Sequence, residues 1–137
     1  MHMQSRVEEA TKRHQSGYNC CQAVACAYCE LLGVDEGTVF KTAEGLGLGM
    51  GGMEGTCGAV SGACLLAGLK VSSGDPQNPT TKGASQKLSR EITAKFMEKT
   101  GTLTCKELKG VGTGKPVLSC PECVRLAAQI AEEVLFD

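Results

Sequence analysis

Apolar residues recur along this chain at the three- and four-residue spacing of helices. Alternating runs of Val and Ile, the mark of strands, do not occur. Met3, Val7, Ala10 and His14 set the helical spacing over residues 3–15, and Gly17 follows as a stop. Asn19 is a good N-cap for a second helix from Cys20 to about Leu32, which Gly33 ends. Asp35 or Glu36 opens a short third helix through Val39, Phe40 and Ala43. From Cys57 to Leu69 the chain is small and apolar on every side, with Thr56 placed to cap it. At 13 residues this stretch is too short for a bilayer and reads as a buried core helix. A long helix from about Thr80 to Lys99 carries Ala84, Leu88, Ile92 and Phe96 as one stripe, and Gly101 ends it. Cys105 to Leu108 form a brief turn. Cys120-Pro121 opens the last helix, with Pro at the favoured first position. Its inward face holds Val124, Ala127, Ala128, Ala131, Val134 and Leu135.

Three segments interrupt the helices. Residues 45–55 hold six glycines in eleven positions, a loop that must take positive φ or press closely on another group. Gly47, Gly49 and Gly52 match the letters of a dinucleotide fingerprint, but no strand precedes them, so that reading is rejected. Residues 72–79 and 109–116 are polar, flexible connections. The expected fold is all-α: one compact domain spanning 1–137, a bundle of five or six helices.

Charge and composition narrow the function. Net charge is -1, which gives no footprint for nucleic acid or a membrane surface. Trp is absent and aromatics are few, so the core must come from Ala, Val, Leu, Ile, Met and Cys. Nine cysteines are the main anomaly, and an odd number cannot all close into intramolecular disulfides. The first residues show no signal-peptide core, so the expected location is a reducing cytoplasm. Cysteines there point to metal or redox work rather than to structural bridges.

Position singles out some of the nine. Cys57 falls at the start of the buried helix, where free N–H groups and the helix dipole favour a thiolate. Cys20 and Cys120 stand at two further helix starts, and Cys105 lies in a loop-like stretch able to join them. Cys120-Pro-Glu-Cys123 has the CxxC spacing of a dithiol, without a thioredoxin-like context. Cys26 and Cys29 share a helix face, which is half a metal site or simply buried packing. Cys64 reads as inert core. Met50 and Met53 beside Cys57 raise Cu(I), although Met is also a common gap filler. His2 and His14 are the two histidines, and His14 is a proton carrier, a ligand or a packed helix residue.

Four segments carry a family resemblance: Gly17-Tyr-Asn-Cys20 followed by Gln22-Ala23-Val24; the Gly-rich loop into Cys57-Gly-Ala-Val-Ser-Gly62; Cys105-Lys-Glu-Leu; and Cys120-Pro-Glu-Cys-Val124. Over residues 5–135 the chain resembles the C_GCAxxG_C_C family of redox-active proteins of bacteria and archaea. The resemblance implies a helical domain of this size with hallmark cysteines Cys20, Cys57, Cys105 and Cys120, and a redox role. Two functions follow as expectations. In the first, the protein performs thiol–disulfide exchange or electron transfer, as a thiol-based oxidoreductase. Cys57 attacks, Cys20, Cys105 or Cys120 resolves, and the partner is a redox protein or a small thiol. In the alternative, the same four cysteines bind Zn or an iron–sulfur cluster. A third, purely structural use of the cysteines is also open. The small-residue face of 57–69, with Gly58, Ala59, Gly62 and Ala63, suits a neighbouring helix or the interface of a homodimer.

Overall fold

The computed structural model of the chain describes residues 3–136, and its regular elements are all helical. Seven α-helices follow in order: α1 (Val7–Gln15), α2 (Cys20–Tyr28), α3 (Glu36–Glu44), α4 (Gly58–Val71), α5 (Lys82–Thr100), α6 (Cys105–Lys109) and α7 (Cys120–Ala131). A 3₁₀ turn at Cys29–Leu32 extends α2, and a wider π turn at Glu132–Phe136 extends α7. The count exceeds the expected five or six because residues 105–109, read as a turn, close into a short helix. No strand forms among the described residues; Thr56 and Thr104 make an isolated antiparallel bridge. No helix there is long and apolar enough to cross a membrane.

The helix boundaries follow from local chemistry. Asn19 caps α2 through a reciprocal pair: its side chain accepts from the Gln22 N–H, and the Gln22 side chain accepts from the Asn19 N–H. The last turn before Gly33 tightens to 3₁₀, and Gly33 takes the left-handed conformation that stops it. Asp35 caps α3 through the Thr38 N–H at 2.9 Å. Helix α1 begins at Val7, not at Met3. The Arg6 N–H donates to Glu132 at 2.8 Å and the Ser5 hydroxyl donates to it at 3.1 Å, which ties residues 5–6 to the far end of the chain. Helix α4 is capped by Cys57 itself rather than by Thr56, whose backbone is taken up by the bridge to Thr104. In α7, Ser119 is the cap, Cys120 comes first and Pro121 second.

Helix α4 packs on three neighbours, α2, α5 and α7, which accounts for most of its apolar surface, while Ser61, Cys64 and Leu65 lie on a partly open side. Its small-residue face, open to a dimer reading in sequence, is filled by α2 of the same chain. A Cβ at Gly62 would lie 2.7 Å from the Cys21 carbonyl oxygen and 3.2 Å from the Val24 Cβ. Tyr28 closes the other end. It is fully buried, stacks on Phe136 and donates to Glu132 at 2.5 Å.

This contact makes two glycines of one helix behave oppositely. Gly62→Ala is expected to destabilise the protein by about 1–3 kcal/mol through overpacking against α2. Gly68, whose Cβ would meet open space, is expected to gain about 0.5–1 kcal/mol on substitution by Ala. Urea unfolding of the two variants checks this. Equal stabilisation of both would show that α2 and α4 do not touch at Gly62.

Candidate functional site

Three helix starts and a short helix meet at one end of the bundle, each bringing a cysteine. Cys20 is the first residue of α2. Its neighbour Asn19 also donates to the Glu44 carbonyl at 2.9 Å, while Gln22 donates to the Phe40 carbonyl at 3.0 Å. The start of α2 is thereby locked to the end of α3. Cys57 caps α4, and its N–H donates to the Leu103 carbonyl at 2.7 Å. Gly58 follows, and a Cβ there would overlap the Cys20 sulfur. Only glycine lets the two helix starts come this close. Cys105 opens α6, with its N–H on the Gly55 carbonyl at 3.0 Å. Cys120 and Cys123 lie in the first turn of α7, three residues apart and so on one face.

The Gly-rich segment winds around this junction. Leu48, Gly49, Met50 and Gly51 all take positive φ, at 55°, 56°, 63° and 88°. Two of these are not glycine, and each such residue costs about 1–3 kcal/mol. The segment is held by bonds from Met53 N–H to the Leu48 carbonyl (2.8 Å) and from Gly55 N–H to the Gly49 carbonyl (3.0 Å). Gly49 must be glycine for space as well: a Cβ there would lie 2.5 Å from the Cys105 Cβ.

Between these elements lies a cavity of about 140 Å³, walled by Cys20, Cys57, Cys105, Cys120 and Cys123 with His14, Leu48, Leu108 and Leu118. All five thiols are free. Cys120 is half-exposed and the other four are buried. Within the cavity the sulfurs form two donor–acceptor pairs. Hydrogen bonding to the Cys120 thiol lowers Cys20, against the cost of burial, to a pKa of about 6. The main-chain N–H groups of Leu48 and Cys21 and a positive charge on His14 act in the same direction. Cys120, the donor, is pushed well up by the same bond and by burial. In the second pair Cys123 hydrogen-bonds Cys57, lowering Cys57 with help from the N–H groups of Val60 and Ala59, while Cys123 itself rises. Burial raises Cys105, against the opposing charge of Lys109. The Cys120 Sγ also lies 3.5 Å from His14 Nε2.

The four cysteines singled out in the sequence, Cys20, Cys57, Cys105 and Cys120, therefore share one cavity. Cys123 and His14 belong beside them. The i, i+3 spacing from Cys120 was the signal for Cys123; His14 stood out as one of two histidines, with nothing in the sequence to place it at the thiols. Cys26 and Cys29 lie elsewhere, packed with Cys21, Val39 and Ala43 in a separate core. Burial raises these thiols, Cys21 and Cys26 to about 12. Cys64 is not deep core: it is half-buried beside Met50 and Thr93, away from the cavity. Met50 and Met53 do not line the thiol cavity, so they add no ligand to it. Among the described residues, no three His, Cys, Asp or Glu side chains stand in an arrangement that holds a metal ion. His2 lies outside the described residues.

The sequence profile of the family described as "Putative redox-active protein (C_GCAxxG_C_C)" matches residues 18–134. That span runs from just before the first cavity cysteine to beyond the last. No curated protein and no solved structure matches the chain.

The paired thiols give a titration that can be watched by thiolate absorbance in the ultraviolet. Above a pKa of about 6 the wild-type protein is expected to carry the Cys20 thiolate. In Cys120→Ala that step is expected to move up towards the ordinary thiol value of 9.0. His14→Gln is expected to move it in the same direction by less. A wild-type protein with no thiolate below pH 8 would contradict the pairing.

Proposed function

This chain belongs to the C_GCAxxG_C_C family, and we propose that it performs thiol–disulfide exchange, with Cys20 attacking and Cys120 resolving. The observation that carries this reading is the placing of Cys20, the first residue of α2, and Cys120, the first residue of α7, on the wall of one cavity, where Cys20 is lowered and Cys120 raised. An attacking thiol works best when its pKa lies near the ambient pH, which a value of about 6 satisfies. Sequence position favoured Cys57 for this role. Cys20 is preferred because its partner is the half-exposed thiol of the cavity and has a histidine beside it.

The reaction divides into two displacements. The Cys20 thiolate attacks one sulfur of an oxidised partner, the partner's S–S bond breaks, and one partner thiolate leaves. The leaving partner thiolate takes the Cys120 proton, and the resulting Cys120 thiolate attacks the Cys20 sulfur. The second partner thiolate leaves as the Cys20–Cys120 disulfide forms. Two electrons move from the protein to the partner, and the reverse sequence oxidises a reduced partner. The lining is mostly apolar, from Leu48, Leu108 and Leu118, which keeps the dielectric low and strengthens the sulfur hydrogen bonds. With a cavity of about 140 Å³, the partner is a small disulfide or a single disulfide presented at a protein surface.

Reduced protein purified without oxygen or chelator, then given oxidised glutathione, tests this. A Cys20–Cys120 link is expected by peptide mapping, with a mixed disulfide trapped on Cys20 in Cys120→Ser and Cys120 left unlinked in Cys20→Ser. A Cys20→Ser variant in which Cys120 is still oxidised at the wild-type rate would overturn the assignment. So would a protein that carries zinc or iron and whose thiols react only after chelation, since Cys20, Cys57, Cys105 and Cys120 would then be ligands.

A further inference from the structure

We propose that Cys57 and Cys123 form a second redox couple, so that the one cavity closes two disulfides, Cys20–Cys120 and Cys57–Cys123, and transfers four electrons rather than two. The inference rests on the thiol-exchange reading of the site and extends it to Cys123, a residue outside the four hallmark positions.

The geometry of α7 carries it. Cys120 and Cys123 sit three residues apart in the first turn, on one face of the helix. That face looks into the cavity, and the two sulfurs meet different helices there. Cys20 at the start of α2 and Cys57 at the cap of α4 share that cavity wall and α7 packs on both helices, with Cys120 beside Cys20 and Cys123 beside Cys57. The CPEC segment is thus not a self-contained dithiol. It offers one thiol to each of two sulfurs that helix starts favour as thiolates. Gly58, seated between Cys57 and the Cys20 sulfur, keeps the couples adjacent and inside one cavity. Cys105, on the same wall near Lys109, is the fifth thiol and stays reduced when both couples are closed.

Each couple reacts with one external disulfide. For the second, the Cys57 thiolate attacks the disulfide and releases one thiolate. That leaving thiolate takes the Cys123 proton, and Cys123 attacks the Cys57 sulfur and releases the other. Two disulfide molecules are reduced to four thiols as four protein thiols become two S–S bonds.

Intact mass and peptide mapping of anaerobically reduced protein, before and after excess diamide, an azo oxidant of thiols, decide the matter. The wild type is expected to lose about 4 Da, with Cys57 linked to Cys123 and Cys20 to Cys120. Cys123→Ala, which leaves no buried hydroxyl unpaired, is expected to lose about 2 Da and keep the Cys20–Cys120 link. A wild type that loses about 2 Da with Cys20–Cys120 alone would overturn the second couple and leave the exchange function standing. A Cys120–Cys123 link would overturn both pairings. No mass change at all would overturn thiol exchange itself. If Cys123→Ala fails to fold, the wild-type map alone decides.

Discussion

The contact between the starts of α2 and α4 governs this molecule. Gly58 and Gly62 bring the α4 backbone onto α2 so closely that a methyl group at either place would meet sulfur or carbonyl oxygen. Core packing at near-crystalline density leaves no slack for such an intrusion. The contact does two jobs. Deeper in the bundle it joins α2 to the most apolar helix. At the rim it places Cys20 beside Cys57, with the Gly-rich segment folded over both through Gly47, which lies against Asn19 and within 3.1 Å of the Cβ position of Gly58. The left-handed run from Leu48 to Gly51 follows, because a chain turning over two helix ends in so little space has few other conformations.

Electrostatics then separates the nine thiols into two groups. In the core with Val39 and Ala43, burial raises Cys21, Cys26 and Cys29, and neighbouring sulfurs and the Glu36 carboxylate add to it. In the cavity, burial acts on Cys20 and Cys57 as well, yet a thiol hydrogen bond and helix-start N–H groups outweigh it. The same residue type is raised in one place and lowered in the other because only the cavity supplies donors strong enough to outweigh burial. Each couple thus sets a lowered thiol, ready to attack, beside a raised one that keeps its proton until the second displacement.

Much of this was legible in the chain. Asn19 and Gln22 announced the capped start of α2, and the spacing of Ile92 and Phe96 announced the buried stripe of α5. Cys20, Cys57, Cys105 and Cys120 could be ranked by their place before or within helices. Other features depend on which elements meet, and sequence spacing is silent about that. His14 sits on an ordinary amphipathic helix, and only the packing of α1 against α7 brings it to Cys120. Cys123 looked like one half of a local CxxC pair because its partner, Cys57, is 66 positions away. Cys64 lies in an apolar helix but on the side that turns outward. The start of α1 was misplaced for the same reason, since Glu132 near the far end of the chain holds residues 5 and 6.

The central claim is that ionised and inert thiols are divided by place, with Cys20 the reactive centre. Residue-resolved alkylation of the native reduced protein at neutral pH, followed by mass spectrometry, tests it most directly. Cys20 is expected to label first, at a rate that falls as pH drops through about 6, while Cys21, Cys26 and Cys29 stay unlabelled until the protein unfolds. Labelling led by Cys64, or by Cys26 and Cys29, with Cys20 protected, would contradict the account.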